Sequence, residues 1–183
     1  MISSDGWLDS AEQCPSPNCN ARPPVAIDLL VLHNISLPPG QFGGSHIRDF
    51  FLNRLDPRAD PYFGEIAHLR VSAHLLIARD GALTQFVSFD RRAWHAGASQ
   101  WQGRDNCNDF SIGIELEGTD TLPFTDAQYA ALRGVIAELR ERYPALRRER
   151  IVGHSDVAPG RKTDPGPCFD WARLHDEAAQ PPA

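Results

Sequence analysis

The sequence predicts an α/β fold of the α+β kind: one domain with a mixed central β-sheet flanked by helices. Three observations predict it. Short apolar runs of strand length recur along the 183 residues, in "IDLLVLHNIS", "SIGIELEG" and "RIVGH". An Asp80–Gly81 pair sits between two strand-like stretches, the signal of a hairpin. "TDAQYAALRGVIAELRERYP" carries the period of an amphipathic helix. Strands and helices mixed in this way call for a sheet with helices packed on it.

Residues 1–24 are polar and Pro-rich and are expected to run extended over the surface of a core spanning about 25–175. "IDLLVLHNIS" then reads as a buried strand that ends in polar residues at His33 and Asn34. "PPGQFGG" is a loop, and "SHIRDFFLNRL" a helix with Ser45 as its cap. After a loop through "DPRADPYFGE" comes the hairpin of "VSAHLLIARDGALTQFVSF". "RRAWHAGASQWQGRDNCND" reads as a long aromatic and polar loop, too long to be idle in a compact domain.

In "SIGIELEG", Ile112, Ile114 and Leu116 alternate with Gly113, Glu115 and Glu117, the period of a strand. The long helix opens on Thr125 and Gln128, which match a capping box, and Leu132, Val135, Ile136 and Leu139 form its apolar stripe. "RIVGH" is a last short strand. It runs into "GHSDVAPGRKTDPGP", whose prolines and glycines dictate a loop. "CFDWARLHDEA" is expected to close the chain as a helix.

Composition sets the class. Apolar residues at 42% and charged residues at 23% describe a chain able to bury a core without staples. A net charge of −6 excludes a general nucleic-acid binder, because neutralising phosphates needs a basic face. No run of about 18 apolar residues exists to span a membrane. "MISSDGWLDSAEQC" has neither a basic region nor an apolar run of a secretory signal, so a cytoplasmic location is expected. In that compartment Cys14, Cys19, Cys107 and Cys168 are ordinary reduced thiols. "CPSPNC" lacks the second pair that a four-thiolate zinc site needs.

Three polar side chains stand where strands run out into loops: His33 after "LLVL", His154 after "RIVG", and Asp164 further along the same loop. A strand end holds a side chain rigidly while leaving its tip accessible. Two His nitrogens and one carboxylate oxygen are the ligand set of a catalytic zinc whose fourth position stays open for water. Spacing alone does not group them, since no local motif such as HExxH joins His33 to His154. Taken singly, each His also reads as a structural or surface residue, and Asp164 as a cap or turn former.

Several motifs in order decide between these readings. "LVLHNISLPPGQFGG", "AHLRVSAHLLIARDG", "RAWHAG", "CNDFSIGIELEGTD", "TDAQY" and "RKTDPGPCFDWARL" together resemble the AmpD-type N-acetylmuramoyl-L-alanine amidases. These are members of the type 2 amidase group, which includes the peptidoglycan recognition proteins and shares their fold. The resemblance runs from about Gly6 to Leu174. It implies one zinc ion held by His33, His154 and Asp164, with Glu115 and Lys162 as catalytic residues. Strand alternation puts Glu115 and Glu117 on one face and does not rank them; the family motif favours Glu115. Lys162 on its own reads equally well as a solvated loop lysine.

The same resemblance implies hydrolysis of the amide between N-acetylmuramic acid and L-alanine. The substrates are small 1,6-anhydro muropeptides returned to the cytoplasm during cell-wall recycling. Carboxylates on the peptide stem call for an arginine, and Arg70 matches a substrate-binding arginine of the family. Asn34 and Trp94 are further expected contacts. A second family arginine is replaced here by Asn106; either Arg104, two residues earlier, takes over its role or the stem peptide is anchored more weakly. His74 is expected to be a hydrogen-bonded core residue and His95 to border the pocket. His46, His68 and His175 read as polar surface residues. A monomer acting on a small muropeptide, with no nucleic acid and no membrane partner, is expected. Two alternatives stand beside it: an amidase acting on intact peptidoglycan, and a peptidoglycan-binding module without turnover.

Overall fold

Two seven-residue strands form the middle of the molecule, and both are almost wholly buried. The computed structural model describes residues 1–174. In chain order its strands are β1 (Glu12–Gln13), β2 (Cys19–Asn20), β3 (Leu29–Ile35), β4 (Leu75–Ile77) and β5 (Leu83–Gln85). There follow β6 (Arg92–Ala93), β7 (Gln100–Trp101), β8 (Arg104–Asp105), β9 (Ser111–Glu117) and β10 (Ile151–Gly153). The α-helices are α1 (His46–Phe51), α2 (Pro61–Ile66), α3 (Asp126–Arg142) and α4 (His154–Val157).

Six strands make the central sheet in the order β1-β5-β4-β9-β3-β10. The β4–β5 pair is antiparallel and the other contacts are parallel, so the sheet is mixed, as the sequence predicts. Parallel strands in the middle of a sheet are covered on both faces, which is why β3 reads as an unbroken apolar run. Leu30 and Leu32 of β3 and Ile112, Ile114 and Leu116 of β9 share one cluster with Leu132, Val135, Ile136 and Leu139 of α3. Leu29 and Val31 face the other way and pack with Ala96, Cys107, Phe110, Val152 and Val157. One face of the sheet is therefore given to packing. The other is apolar at the start of its strands and polar at their ends.

α3 is the helix the sequence predicts, capping box included. The Gln128 N–H donates to Thr125 Oγ1 at 3.1 Å, and the Thr125 N–H donates to Gln128 Oε1 at 3.1 Å. The β4–β5 hairpin also stands, with Gly81 in the left-handed region at φ +86°. Its connection runs Arg79–Gly81, one residue longer than the Asp–Gly pair alone suggests. α1 begins after Ser45, but the Ser45 hydroxyl donates to Asp49 Oδ2 and makes no capping bond to the helix backbone.

Three stretches differ from expectation. The N-terminal segment is built into the fold rather than laid over it: β1 adds a parallel edge strand to β5, β2 pairs β6, and Leu8 is buried in the main core. Its polar composition conceals this because side chains hold its backbone. Gln85 accepts from the Leu8 N–H at 2.7 Å and donates to the Gly6 carbonyl at 2.9 Å. "DPRADPYFGE" contains α2, whose Asp60 side chain accepts from the Tyr62 N–H at 2.9 Å with Pro61 at the first helical position. An Asp–Pro pair is itself a helix-start signal. Within "GHSDVAPGRKTDPGP", α4 forms a single turn before the chain becomes irregular. At the C-terminus residues 168–170 are not helical and Trp171–Leu174 form a 3₁₀ turn; the expected terminal helix from His175 onward lies outside the described residues.

Candidate active site

The site stands at the C-terminal edge of three adjacent parallel strands, the position where open α/β sheets hold their ligands. Parallel register explains who meets whom. His33 of β3 is the direct partner of Glu115 of β9, so both side chains leave the same face side by side. Gly153 of β10 pairs with Leu32, which sets the next residue, His154, beside His33.

Asp164 arrives from the loop, and that loop is tied back at several points. The Ser155 N–H donates to the Asp164 carbonyl at 3.0 Å. The Asn34 amide donates to the Pro165 carbonyl at 3.1 Å and to Asp120 Oδ1 at 2.6 Å. Gly166 has φ +83°, and a Cβ there would lie 2.4 Å from Asp120 Cα. Only glycine lets the chain pass so close in that conformation.

His33 Nδ1, His154 Nδ1 and Asp164 Oδ2 form a triangle with every side 3.0 Å. Ligands about 2.0–2.1 Å from one tetrahedral ion stand roughly 3.3 Å apart, so the triangle is close to the size of a metal's donor set. Hydrogen bonding alone does not account for it. The outer nitrogen of His154, Nε2, donates to the Ala96 carbonyl at 3.1 Å, which leaves a lone pair on Nδ1. That nitrogen and Asp164 Oδ2, 3.0 Å apart, are then both acceptors, and facing lone pairs repel unless a cation lies between them. A donated outer N–H is also how metal-binding imidazoles are held. The residues fit a metal.

Electrostatics agree. Burial lowers the pKa of His33 to about 4, so it is a neutral donor. Burial alone would raise Asp164, but its contacts with His154 and His33 override that and hold it below the usual carboxylate range. Burial, and then the charge of Asp164, push Glu115 well above the ordinary glutamate range, while Lys162 pulls it back down. Among the described residues, Glu115 Oε2 is buried with no hydrogen-bond partner.

A cavity of about 580 Å³ opens over this edge. His33, His154, Asp164, Glu115, Lys162 and Asn34 line its polar end, so six of the nine expected site residues are brought together. Phe50, Phe51, Tyr62, Ile66, Leu69 and Val71 form an apolar wall opposite. Glu117 is engaged elsewhere: it accepts from the Gly43 N–H and from the Arg79 N–H, so the structure separates it from Glu115 where strand period alone did not.

The other three expected contacts are not among the residues lining the cavity, and each has at least one donor held by the protein. The Arg104 guanidinium ion-pairs with Asp28 at 2.7 Å and lies 3.6 Å over the Phe110 ring. The Trp94 indole donates to Asn20 Oδ1 at 2.8 Å. Arg70 donates to the carbonyls of Ala67, His68 and Leu69, closing the turn after α2 just behind the wall. Asn106 has φ 57°, a left-handed conformation that Asn adopts more readily than most residues, at the start of a 3₁₀ turn.

The arginine that does line the cavity is Arg161, which sequence reasoning passed over. It donates to the carbonyls of Ala96 and Ala98 at 2.6 and 2.7 Å. Its only signal was its place beside Lys162. His95 also borders the cavity, as expected. His74 is fully buried, accepting from the Gly113 N–H at Nδ1 and donating to the Arg91 carbonyl. All four cysteines are free thiols. Among the described residues no helix is long and apolar enough to cross a membrane.

A mixed sheet carrying two imidazoles and a carboxylate on one donor triangle, with an unpartnered carboxylate in the same cavity, has the donor set of an open metal site of the kind hydrolases use. The chain belongs to the N-acetylmuramoyl-L-alanine amidase family, which matches residues 22–167. It is 60% identical over 175 residues to the 1,6-anhydro-N-acetylmuramyl-L-alanine amidase AmpD of Escherichia coli strain K12, covering 95% of each chain. A crystal structure of a selenomethionine derivative of AmpD superposes with TM-score 0.93 at 59% identity, over 96% of this chain and 98% of that one. The E. coli amidase AmiD, in complex with anhydro-N-acetylmuramic acid-L-Ala-D-γ-Glu-L-Lys, superposes with TM-score 0.60 at 30% identity, over 95% of this chain and 64% of that one.

Proposed function

We propose that this chain is a zinc amidase that hydrolyses the amide between 1,6-anhydro-N-acetylmuramic acid and L-alanine in muropeptides, in cytoplasmic cell-wall recycling. The observation that carries the reading is the donor triangle of His33, His154 and Asp164 with the free oxygen of Glu115 in the same cavity. The likeness to an amidase solved with an anhydromuramyl peptide supports the substrate class.

An amide carbonyl is a poor electrophile and neutral water a poor nucleophile. His33, His154 and Asp164 would hold a zinc ion, which when bound would supply Lewis acidity and lower the pKa of a bound water to about 7. The protein supplies the rest. Glu115 takes the proton of the attacking water and delivers it to the departing alanine nitrogen. Its buried setting suits both halves of that task, because a carboxylate raised from its usual range holds a proton long enough to pass it on. Lys162 sets positive charge where the tetrahedral oxyanion grows, a contribution typically of about 2.7–4 kcal/mol. The apolar wall gives the sugar ring or the stem a surface to cover, and Arg161, which lines the cavity, offers a cation for a stem carboxylate.

The test is incubation with 1,6-anhydro-N-acetylmuramoyl-tripeptide and, separately, with intact peptidoglycan. Release of free tripeptide from the first, abolished by chelation and restored by zinc, is expected. Binding without release in the presence of zinc would mark a recognition module instead, and faster cleavage of intact peptidoglycan would overturn the recycling role.

A further inference from the structure

His33 touches the donor triangle with one nitrogen and a third histidine with the other. His33 Nε2 lies 3.0 Å from His95 Nδ1, and His95 Nε2 lies 3.2 Å from Ser111 Oγ. Ser111 Oγ in turn approaches the Cys107 carbonyl at 2.6 Å. The direction of this chain follows from its far end. A carbonyl oxygen only accepts, so the single hydroxyl proton of Ser111 is spent on Cys107. Ser111 must then accept from His95, which places a proton on His95 Nε2 and leaves Nδ1 as an acceptor. His33 must therefore donate from Nε2, and its Nδ1 carries a lone pair facing His154 and Asp164.

The seat of His95 is built for this purpose by other parts of the chain. The Asn108 side-chain oxygen accepts from the His95 N–H at 3.1 Å and from the Ala96 N–H at 2.8 Å, fixing the backbone. The ring packs against Gly113 of β9, where a Cβ would come within 2.3 Å of His95 Cγ. This explains a glycine inside a central strand, a place where glycine marks close approach rather than a turn. His33 and His95 meet edge to face, with ring centroids 5.1 Å apart.

We propose that His95 and Ser111 are positioning residues for metal binding: their hydrogen-bond chain, ending on the Cys107 carbonyl, locks His33 in the Nε2–H tautomer. Nδ1 is then presented to the metal without a rearrangement. The inference rests on the metal reading of the preceding section. Without the chain, His33 divides between two tautomers and the ring is free to turn, so part of the binding free energy goes into selecting the right form.

Zinc affinity, measured by competition with a chromophoric chelator, tests this together with ¹⁵N-edited NMR of the imidazoles in the full chain. His95→Leu, which keeps bulk and removes the acceptor, is expected to weaken zinc binding by about 10–100-fold. His95→Gln restores an acceptor for the His33 N–H and is expected to recover most of that loss; Ser111→Ala gives a smaller loss in the same direction. The zinc-loaded wild-type protein should show His95 protonated at Nε2 and bare at Nδ1. Unchanged zinc affinity in a folded His95→Leu protein, or a His95 protonated at Nδ1, overturns the proposal. Should His95→Leu fail to fold, the wild-type spectrum and Ser111→Ala still decide. A wild-type protein that takes up no zinc would instead overturn the metal reading itself.

Discussion

The two halves of the site are held by different physics. His33 and Glu115 stand on β3 and β9, where the parallel ladder sets their positions residue by residue. Lys162 and Asp164 stand on an irregular loop, where position depends on separate bonds from Ser155 and Asn34 and on close packing at Gly166. A ladder spreads the cost of one substitution over many bonds, whereas a loop pinned at a few points concentrates it. Changes to the strand half should therefore cost chemistry while sparing the fold. Changes to the loop half should also disturb geometry.

The sharpest test pairs a ligand with its neighbour. Asp164→Ala is expected to abolish stoichiometric zinc binding, read by metal analysis of the purified protein, and with it turnover. Glu115→Gln keeps shape and leaves the triangle intact, so it should bind zinc normally while kcat falls by about 10²–10⁴. Equal metal loss in both variants would break the distinction between a ligand and a proton carrier. Next in size, Lys162→Ala should lower kcat about 10²–10³-fold with little change in metal content, as expected for one lost oxyanion partner.

Smaller effects probe the pins. Gly166→Ala forces a methyl against Asp120 at a positive φ and should cost about 1–3 kcal/mol, visible as a lower Tm. Asn34→Ala removes two bonds, one of them to the Pro165 carbonyl, for about 1 kcal/mol each at most. Its signature is weakened zinc affinity through a loosened Asp164, together with a Tm lowered by only a few degrees. If Asn34→Ala left affinity untouched, the loop would have to be held by its own packing.

Acid should act on the strand half. Burial, and then the nearby charge of Arg22, lower His74 to about 3 from an ordinary 6.5. The unfolded chain takes up that proton below about 6.5 and the folded chain does not until about 3. The stability contributed is thus complete above the upper value and is lost as pH falls through this window. Melting curves from pH 7 to 4 should show the decline, and His74→Gln should reduce its slope, the remainder coming from His33, which burial likewise keeps neutral down to about 4.

The sequence by itself determined the sheet-and-helix architecture, the capped α3 and the presence of a ligand set. Each of these is written in local periodicity or in residue types that chemistry restricts. His33, His154 and Asp164 carried the residue types of a ligand set, but the resemblance to the amidase family, not period or spacing, grouped them and singled out Glu115 and Lys162; all five line the cavity. The tertiary structure decided what local pattern leaves open. Glu115 and Glu117 share a face by strand period, and only the return of Gly43 and Arg79 occupies one and leaves the other free. Arg104, Trp94 and Arg70 each have a donor engaged by the protein, a pairing that no local pattern announces. The role inferred for His95 is the same case. Its protonated nitrogen is set three hydrogen bonds from the metal site, by a carbonyl whose position no spacing in the sequence specifies. Residue type and period are local properties. Which donor faces which acceptor is fixed only when separate segments close on one another.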